Sequence, residues 1–157
     1  MFRLISLVVA SLLLTAPAVA TEGRSLTATP GDSVQSFYAF HVTHDMGFSK
    51  EAVSQRKAWL SPDLLSLCRK YLLRPSSPDE VPPVDGDPFT DSQEYPTAFQ
   101  VGKVRLSGGI ATVAVSFSGP EAQKESVHVV LVPVKGAWLI HDVRYVSGPS
   151  FRTLLAR

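Results

Sequence analysis

The sequence predicts an α+β fold in which N-terminal helices pack on one face of a four-stranded antiparallel sheet. Residues 30–72 place apolar side chains at helical spacing between helix-start signals. Residues 98–145 alternate with a period of two and are divided by three turn signals. The strongest strand signal is in residues 127–145, where two extended runs flank Lys135-Gly136-Ala137. We therefore expect the helices first and then a sheet organised around this hairpin.

The first 20 residues have the features of a secretory signal peptide. Arg3 is followed by an apolar run over residues 4–14 and by an A-V-A motif at residues 18–20. The apolar run is shorter than the roughly 20 residues that a membrane-spanning helix needs. No cysteine lies near Ala20 for lipid attachment. We expect cleavage after residue 20, one mature domain over residues 21–157 without a membrane anchor, and export to the periplasm or the exterior.

Composition excludes some partners and constrains what stabilises the fold. The 157 residues are 45% hydrophobic, which is typical of a globular chain. Loss of Arg3 would leave 14 basic and 14 acidic residues, a balance that gives no electrostatic basis for binding nucleic acid. Cys68 is the single cysteine, so an internal disulfide is excluded and the core must hold the fold together. We expect this thiol to be buried and inert.

The predicted first helix begins at the Pro-Gly-Asp-Ser segment of residues 30–33. Asp32 or Ser33 is the expected N-cap, and Gly47 is the expected C-terminal cap. One face carries an apolar stripe made of Val34, Phe37, Tyr38, His41 and Val42. His41 and His44 lie three residues apart beside Asp45, but two imidazoles do not make a metal site. We expect His41 to be a hydrogen-bonded core residue.

Three further helices are predicted. Residues 49–59 favour a short helix, and residues 150–157 favour a closing one. The clearest start is Ser61-Pro62-Asp63, with Ser61 as N-cap and Pro62 at the first helical position. One face of that helix is apolar through Leu64, Leu65, Cys68, Tyr71 and Leu72.

Residues 74–96 differ from the rest of the chain. They contain six of the 12 prolines and six of the 14 acidic residues, so little regular structure is expected there. Asp85, Asp87, Asp91 and Glu94 resemble oxygen ligands for calcium, but their spacing departs from the calcium-loop pattern. We predict no metal site: Asp87 suits a turn before Pro88, and Asp91 or Ser92 suits the start of a short helix. Phe89 is the expected apolar anchor of this loop.

The strands are separated by recognisable turns. Residues 98–106 change parity, which predicts a bulge near Gly102. Ser107-Gly108-Gly109 and residues 119–124 form the next two turns. Residues 127–134 are apolar on both faces, so the second face should be covered by the proline-rich loop, a partner subunit or the wall of a pocket. Pro133 is expected near the strand end or at a bulge.

Four segments resemble a known family. They are FYAFHV (residues 37–42), LSPDLLSL (60–67), DGDPFTDSQE (85–94) and WLIHDVRY (138–145). Together they resemble the secreted bacterial domain of unknown function 3828, within the nuclear-transport-factor-2-like class of cone-shaped α+β folds. The resemblance implies a curved sheet wrapped by helices, often with a cavity in its concave face. Members of this type are often lipid-anchored, whereas this chain lacks the required cysteine. The family's function is not established, so no activity is implied.

Two histidines on neighbouring strands offer the clearest candidate for a pocket. If the register pairs His128 with His141, they share one sheet face, with Tyr38 or Tyr145 as polar partners. General-base chemistry would also require a carboxylate beside His141, such as Asp32 or Asp63. The common nucleophile, phosphate-binding and zinc-protease motifs do not occur in the sequence.

These observations favour a non-catalytic secreted or periplasmic domain that binds a small apolar ligand or an envelope protein. The contact would use the concave sheet face with the acidic loop at its rim, and no cofactor is predicted. A small-molecule enzyme with a histidine and carboxylate pocket is one alternative. A structural envelope protein that forms a homodimer through its sheet is another. The predicted ligand-binding residues are Tyr38, His128, Val130, His141, Tyr145, Asp85, Asp87 and Phe89.

Overall fold

A computed structural model of the chain describes residues 28–75, 81–119 and 126–157. The predicted signal peptide and most of the 119–124 turn lie outside the described residues, as do residues 76–80 of the proline-rich loop. Among the described residues, none of the helices combines the length and apolar character that crossing a membrane requires.

Within the described residues, the fold consists of four helices and a four-stranded antiparallel sheet. The helices are α1 (Pro30–His41), α2 (Lys50–Arg56), α3 (Pro62–Leu72) and α4 (Phe151–Leu155). The strands are β1 (Ala98–Ser107), β2 (Ile110–Ser118), β3 (Ser126–Val134) and β4 (Ala137–Tyr145). Their spatial order is β1-β2-β3-β4, with every neighbouring pair antiparallel. The predicted α+β class is confirmed at this level.

Helix α1 begins and ends earlier than predicted. Its N-cap is Thr29, whose Oγ1 accepts a hydrogen bond from the Asp32 amide at 3.1 Å. The Asp32 carboxylate in turn accepts from the Thr29 amide at 2.9 Å, which completes a capping box with Pro30 at the first helical position. The helix ends at His41 rather than near Gly47, because Thr43 and His44 bond back to the Phe40 carbonyl.

The other three helices also start at serines, and Ser61 is the one that was predicted as an N-cap. Ser61 Oγ accepts from the Leu64 amide at 3.2 Å, and Ser49 Oγ accepts from the Ala52 amide at 3.0 Å. Ser150 is the N-cap of α4. Each serine satisfies one of the backbone N–H groups that a helix start leaves unpaired.

Both hairpin turns that the structure describes contain two consecutive residues with positive φ, a conformation that glycine adopts readily and that Lys135 adopts despite its side chain. Gly108 and Gly109 have φ of 56° and 77°, and Lys135 and Gly136 have φ of 49° and 85°. Two consecutive positive φ values are characteristic of type I′ turns, whose twist matches that of the flanking strands. The bulge predicted near Gly102 is confirmed as a register shift between Val101 and Val104.

A second bulge, at His141, was not predicted. Val130 lies opposite Asp142, but the next residue, Leu131, lies opposite Ile140, so His141 has no partner in the register. The extra residue reverses the alternation along β4. A regular strand would place His141 on one face with Leu139 and Val143, and the bulge prevents this. Val143 follows Ile140 into the core, whereas Leu139 lies on the opposite face with Val132.

One continuous core fills the space between the helices and the sheet. The sheet contributes alternate residues of β2 and β3, such as Val113 and Val129, and the helices contribute aromatic residues. The largest fully buried apolar side chains are Tyr38, Phe37, Phe89, Phe151, Leu60, Leu64, Leu131, Ile140, Leu155 and Val34. The helix-covered face of the sheet is therefore a packed interior.

Candidate functional site

The segment over residues 85–94 is docked into the core by Phe89. This side chain is 1% exposed, and its ring centroid lies 5.1 Å from that of Phe37 and 5.5 Å from that of Phe151. The Tyr38 hydroxyl donates to the Phe89 carbonyl at 2.6 Å, and the Tyr145 hydroxyl donates to the Pro88 carbonyl at 3.0 Å. The anchoring role predicted for Phe89 is confirmed.

Asp87 lies at the centre of a buried polar network beneath this segment. Its Oδ2 accepts from His41 Nε2 at 2.8 Å and from the Thr90 hydroxyl, while its Oδ1 accepts from the Phe89 amide at 3.3 Å. Thr90 also hydrogen-bonds to Ser92 at 2.8 Å. All these side chains are buried, so the turn role predicted for Asp87 is confirmed, and the turn is held from inside the protein.

Arg56 completes the network from α2. Its Nε donates to His41 Nδ1 at 2.7 Å, and its two terminal nitrogens donate to the carbonyls of Ala52 and Asp45 at 3.0 and 2.9 Å. Burial lowers the pKa of this guanidinium, while Asp87 and Asp45 act in the opposite direction. Sequence reasoning missed Arg56 because it lies in a short, mostly polar helix. The signal that could have revealed Arg56 was His41, a predicted core histidine with no hydrogen-bond partner close to it in the sequence.

Hydrogen bonds within the network occupy both ring nitrogens of His41. Because Nδ1 accepts from Arg56, the proton of the neutral ring must lie on Nε2, which donates to Asp87. Both ring nitrogens are therefore occupied, and the side chain is fully buried. His41 has no free lone pair for a substrate proton, so the cluster is structural, as predicted for this residue.

The register does not bring His128 and His141 together. His128 is exposed on the sheet face that points away from the helices, opposite Arg144. His141 lies in the β4 bulge, where its Nδ1 is 3.1 Å from Ser61 Oγ. Burial lowers the pKa of His141, with a further contribution from Arg152. The shared histidine pocket, which was conditional on their pairing, does not form.

The carboxylate partners considered for His141 have other positions. Asp32 belongs to the capping box of α1. Asp63 lies in the first turn of α3, where it raises the pKa of His141 against the stronger effect of burial. Neither supplies the hydrogen-bonded His–Asp pair that general-base chemistry requires.

A surface pocket of about 230 Å³ lies beside the docked segment. Asp91 occupies a tight turn with φ of 58°, so the short helix predicted to start there was wrong. Burial raises the pKa of the Asp91 carboxyl, and the pKa of Tyr145 is also raised by burial and by the nearby carboxylates. Among the described residues, no cluster of three side chains suited to a metal occurs. The lining residues are Pro83, Val84, Asp85, Asp87, Pro88, Asp91, Tyr145, Ser147, Pro149 and Leu154.

The other face of the sheet, here called the outer face, carries Val130. Its cross-strand neighbours are Thr112 and Asp142. Val130 is 3% exposed but lies outside the core, and no outer-face residue belongs to the core cluster among the described residues. Asp142 accepts from the amides of Val143 and Arg152 at 2.9 and 3.0 Å, so it positions α4.

The predicted ligand-binding residues thus separate into three places. Tyr38, Tyr145, Asp87 and Phe89 meet at the docked segment, with Asp85 on its exposed side. His128 and Val130 lie on the outer face, and His141 lies at the β4 edge near Ser61. A ligand-binding role for these residues stays a prediction.

Cys68 has the environment predicted for it. The thiol is buried on α3 and unpaired, and burial raises its pKa to about 12. A thiol with so high a pKa is protonated at neutral pH and is a poor nucleophile.

The fold is similar to that of a chain in a known protein complex. Native and selenomethionine crystal structures of the type VI effector–immunity complex Tae3–Tai3 from Ralstonia pickettii each contain a chain that matches with a TM-score of 0.59 and 22% sequence identity. The match covers 77% of this chain in both cases, together with 99% of the matched chain in the selenomethionine structure and 98% of it in the native structure. At this identity the likeness shows a shared fold. No protein-family model matches the sequence, and no curated protein matches it.

Proposed function

We propose that this chain is a non-catalytic domain that binds a protein partner, as one half of a pair of the effector–immunity type. The observation that carries the proposal is the shared fold with a chain solved inside the Tae3–Tai3 complex. That chain is matched along 99% of its length, so this protein contains nearly the whole fold of a molecule that works in a two-protein complex.

The interior supports binding rather than catalysis. The buried His41–Asp87 pair has the composition of a catalytic dyad, yet both ring nitrogens are used within the protein. His128 and His141 are on separate surfaces, and the Cys68 thiol is held in its protonated form. Groups that would perform proton transfer or nucleophilic attack are thereby engaged or separated.

A partner would bind outside the helix-covered face of the sheet. The sequence predicts a contact on the concave face, but core side chains such as Phe37, Tyr38 and Phe89 fill the space on the helix side of the sheet. A small apolar ligand has less support for the same reason. Accessible surfaces include the exposed side of the acidic loop at Asp85, the outer face at His128, and the end of the β1–β2 hairpin.

The proposal also covers the export, the family and the shape of the chain. We propose that residues 1–20 direct export, and that the mature domain acts in the periplasm or outside the cell. We also propose that the chain belongs to the 3828 family and that it has the cone shape of the nuclear-transport-factor-2-like class. The helices on one side of an antiparallel sheet are consistent with both.

The test is isolation and reconstitution of the pair. Proteins crosslinked to a tagged copy in the producing bacterium are identified, and each candidate is purified and mixed with the separately purified chain. We expect one candidate to give a complex of fixed stoichiometry with a Kd below about 1 μM, a range typical of specific pairs. Growth arrest caused by that candidate in the exported compartment should be relieved by co-expression of this chain. Failure of every candidate to form such a complex would contradict the proposal.

A further inference from the structure

Exposed apolar side chains are concentrated at the end of the β1–β2 hairpin. Val104, Leu106 and Ile110 are 38%, 66% and 43% exposed. They are three of the seven large apolar residues that the described part of the chain exposes, and they fall within seven consecutive positions. Single exposed apolar residues are normal, but a local concentration marks an interaction surface.

The shape of this hairpin end suits insertion rather than flat contact. Ser107 pairs with Ile110, and Leu106 pairs with the fully buried Ala111, so Leu106 and Ile110 project from opposite faces of the sheet. A Cβ at Gly108 or Gly109 would have no neighbour within 4 Å. The turn is therefore a convex corner with apolar groups on both sides, and a cleft would bury more of it than a plane.

The charge of the hairpin has one sign. Residues 98–118 contain Lys103 and Arg105 and no acidic residue, and both basic side chains are exposed. Lys103 stands in the bulge opposite Ala114, next to the outer face. Bulges and basic side chains on an edge strand such as β1 oppose pairing with another strand, so side chains rather than backbone would make the contact.

We propose that residues 103–110, here called the hairpin corner, insert into an acidic cleft of the partner protein. Leu106 and Ile110 supply the buried apolar contact, and Lys103 and Arg105 face carboxylates at the rim of the cleft. A lipid surface fits less well, because residues 103–110 contain no aromatic side chain of the kind that anchors proteins at membrane interfaces. This inference rests on the proposed function and specifies where the partner binds and what its surface contains.

The test uses the partner isolated as described above, with matched variants of the full mature chain. Leu106→Glu removes the apolar contact and adds a charge that carboxylates repel, and we expect it to weaken binding about 100-fold or more. Leu73→Glu is the control, because Leu73 is 72% exposed at the end of α3. The control should change the Kd less than about 3-fold, and both variants should keep the wild-type melting temperature.

The charge component is tested separately. Arg105→Glu should weaken binding about 10-fold at low salt, and the loss should shrink at high salt because screening removes the attraction in the wild type. Lys57→Glu, at an exposed position after α2, is the matched control. A photo-crosslinker at Ser107 should attach to a partner peptide that contains Asp or Glu.

The outcomes separate the two proposals. If a stable pair forms but Leu106→Glu binds as wild type does, the hairpin corner is not the contact and the proposed function survives. If no pair forms, both proposals fail. Sedimentation of the chain alone and flotation with anionic vesicles complete the test. Self-association or lipid binding that Leu106→Glu abolishes would overturn the inference in favour of a second copy or a membrane.

Discussion

Asp87 shows how a single residue type acquires its role from burial. The same loop contains Asp85, whose carboxylate is exposed and accepts one hydrogen bond from Gln93 at 2.8 Å. Asp87 is fully buried and accepts from His41, Thr90 and the Phe89 amide. A buried carboxylate is tolerated when such donors replace its lost hydration. The two aspartates, two residues apart, should therefore respond very differently to the same substitution.

Asp87→Asn is expected to reduce the free energy of unfolding by about 2–4 kcal/mol, because the amide cannot accept from all three donors and loses its charge-assisted bond. Asp85→Asn, the matched control, should change it by less than about 0.5 kcal/mol. Urea unfolding followed by circular dichroism at pH 7 measures both. Equal midpoints for the two variants would mean that the buried network does not stabilise the fold.

His141 should make stability depend on pH. Burial, aided by Arg152, lowers its pKa in the folded chain below the usual 6.5. The folded protein therefore prefers the neutral ring, so this contribution is complete above about pH 6.5 and is lost as the pH falls through the folded pKa. Thermal unfolding between pH 7.5 and pH 5 should show a smaller decline for His141→Gln than for the wild type. His128→Gln, at an exposed position, should keep the wild-type slope.

At the scale of elements, short-range signals set where each segment begins and ends. Serines start α2, α3 and α4, and consecutive positive φ values at Gly108–Gly109 and Lys135–Gly136 close the hairpins. Ser61 does more than cap its helix. Its amide donates to the Ile140 carbonyl at 2.8 Å, and its hydroxyl contacts His141 across the bulge. One residue thus ties the start of α3 to the edge of β4.

Ser61→Ala should therefore cost more than the loss of an isolated cap. We expect the free energy of unfolding to fall by about 1–2 kcal/mol, at the upper end for N-cap serines. Ser66→Ala lies on the exposed side of α3 and should be neutral or slightly stabilising, since alanine is the better helix former. Chemical denaturation of both variants gives the comparison. A loss for Ser66→Ala as large as that for Ser61→Ala would contradict the capping role.

For the molecule as a whole, Phe89 links segments that are distant in sequence. Its ring contacts Phe37 from α1 and Phe151 from α4, while the tyrosines of α1 and β4 hold the neighbouring carbonyls. Phe89 thus makes this loop part of the core.

Phe89→Ala should remove about 3–5 kcal/mol from the free energy of unfolding, because it leaves a cavity among aromatic rings. Tyr95→Ala, in the same loop but 49% exposed, should cost less than about 1 kcal/mol. Limited proteolysis should cut the loop over residues 81–96 faster in Phe89→Ala than in Tyr95→Ala. Equal cleavage rates would show that Phe89 does not hold the loop in place.

Features that depend on neighbouring residues were predictable from the local sequence. The four helices, four strands, the bulge at Gly102, the hairpin turns and the burial of Phe89 and His41 all followed from local spacing, caps and turn residues. Helix α1 was placed imprecisely, because Asp32 or Ser33 was predicted as its N-cap whereas Thr29 is the N-cap and Asp32 is the N3 residue of its capping box.

The way in which those elements pack depends on long-range contacts, which the local sequence does not specify. The hydrogen bonds of His41 to Asp87 and Arg56 join positions 46 and 15 residues apart, and no local pattern specifies such pairings. The bulge at His141 reversed the faces of β4, and beside it the backbone of Ile140 bonds to Trp59 and Ser61, which lie about 80 residues earlier in the chain. Strand register and buried polar pairing are settled by the packing of the whole chain, and they decide that His41 meets Asp87 and Arg56 while His128 and His141 stay apart.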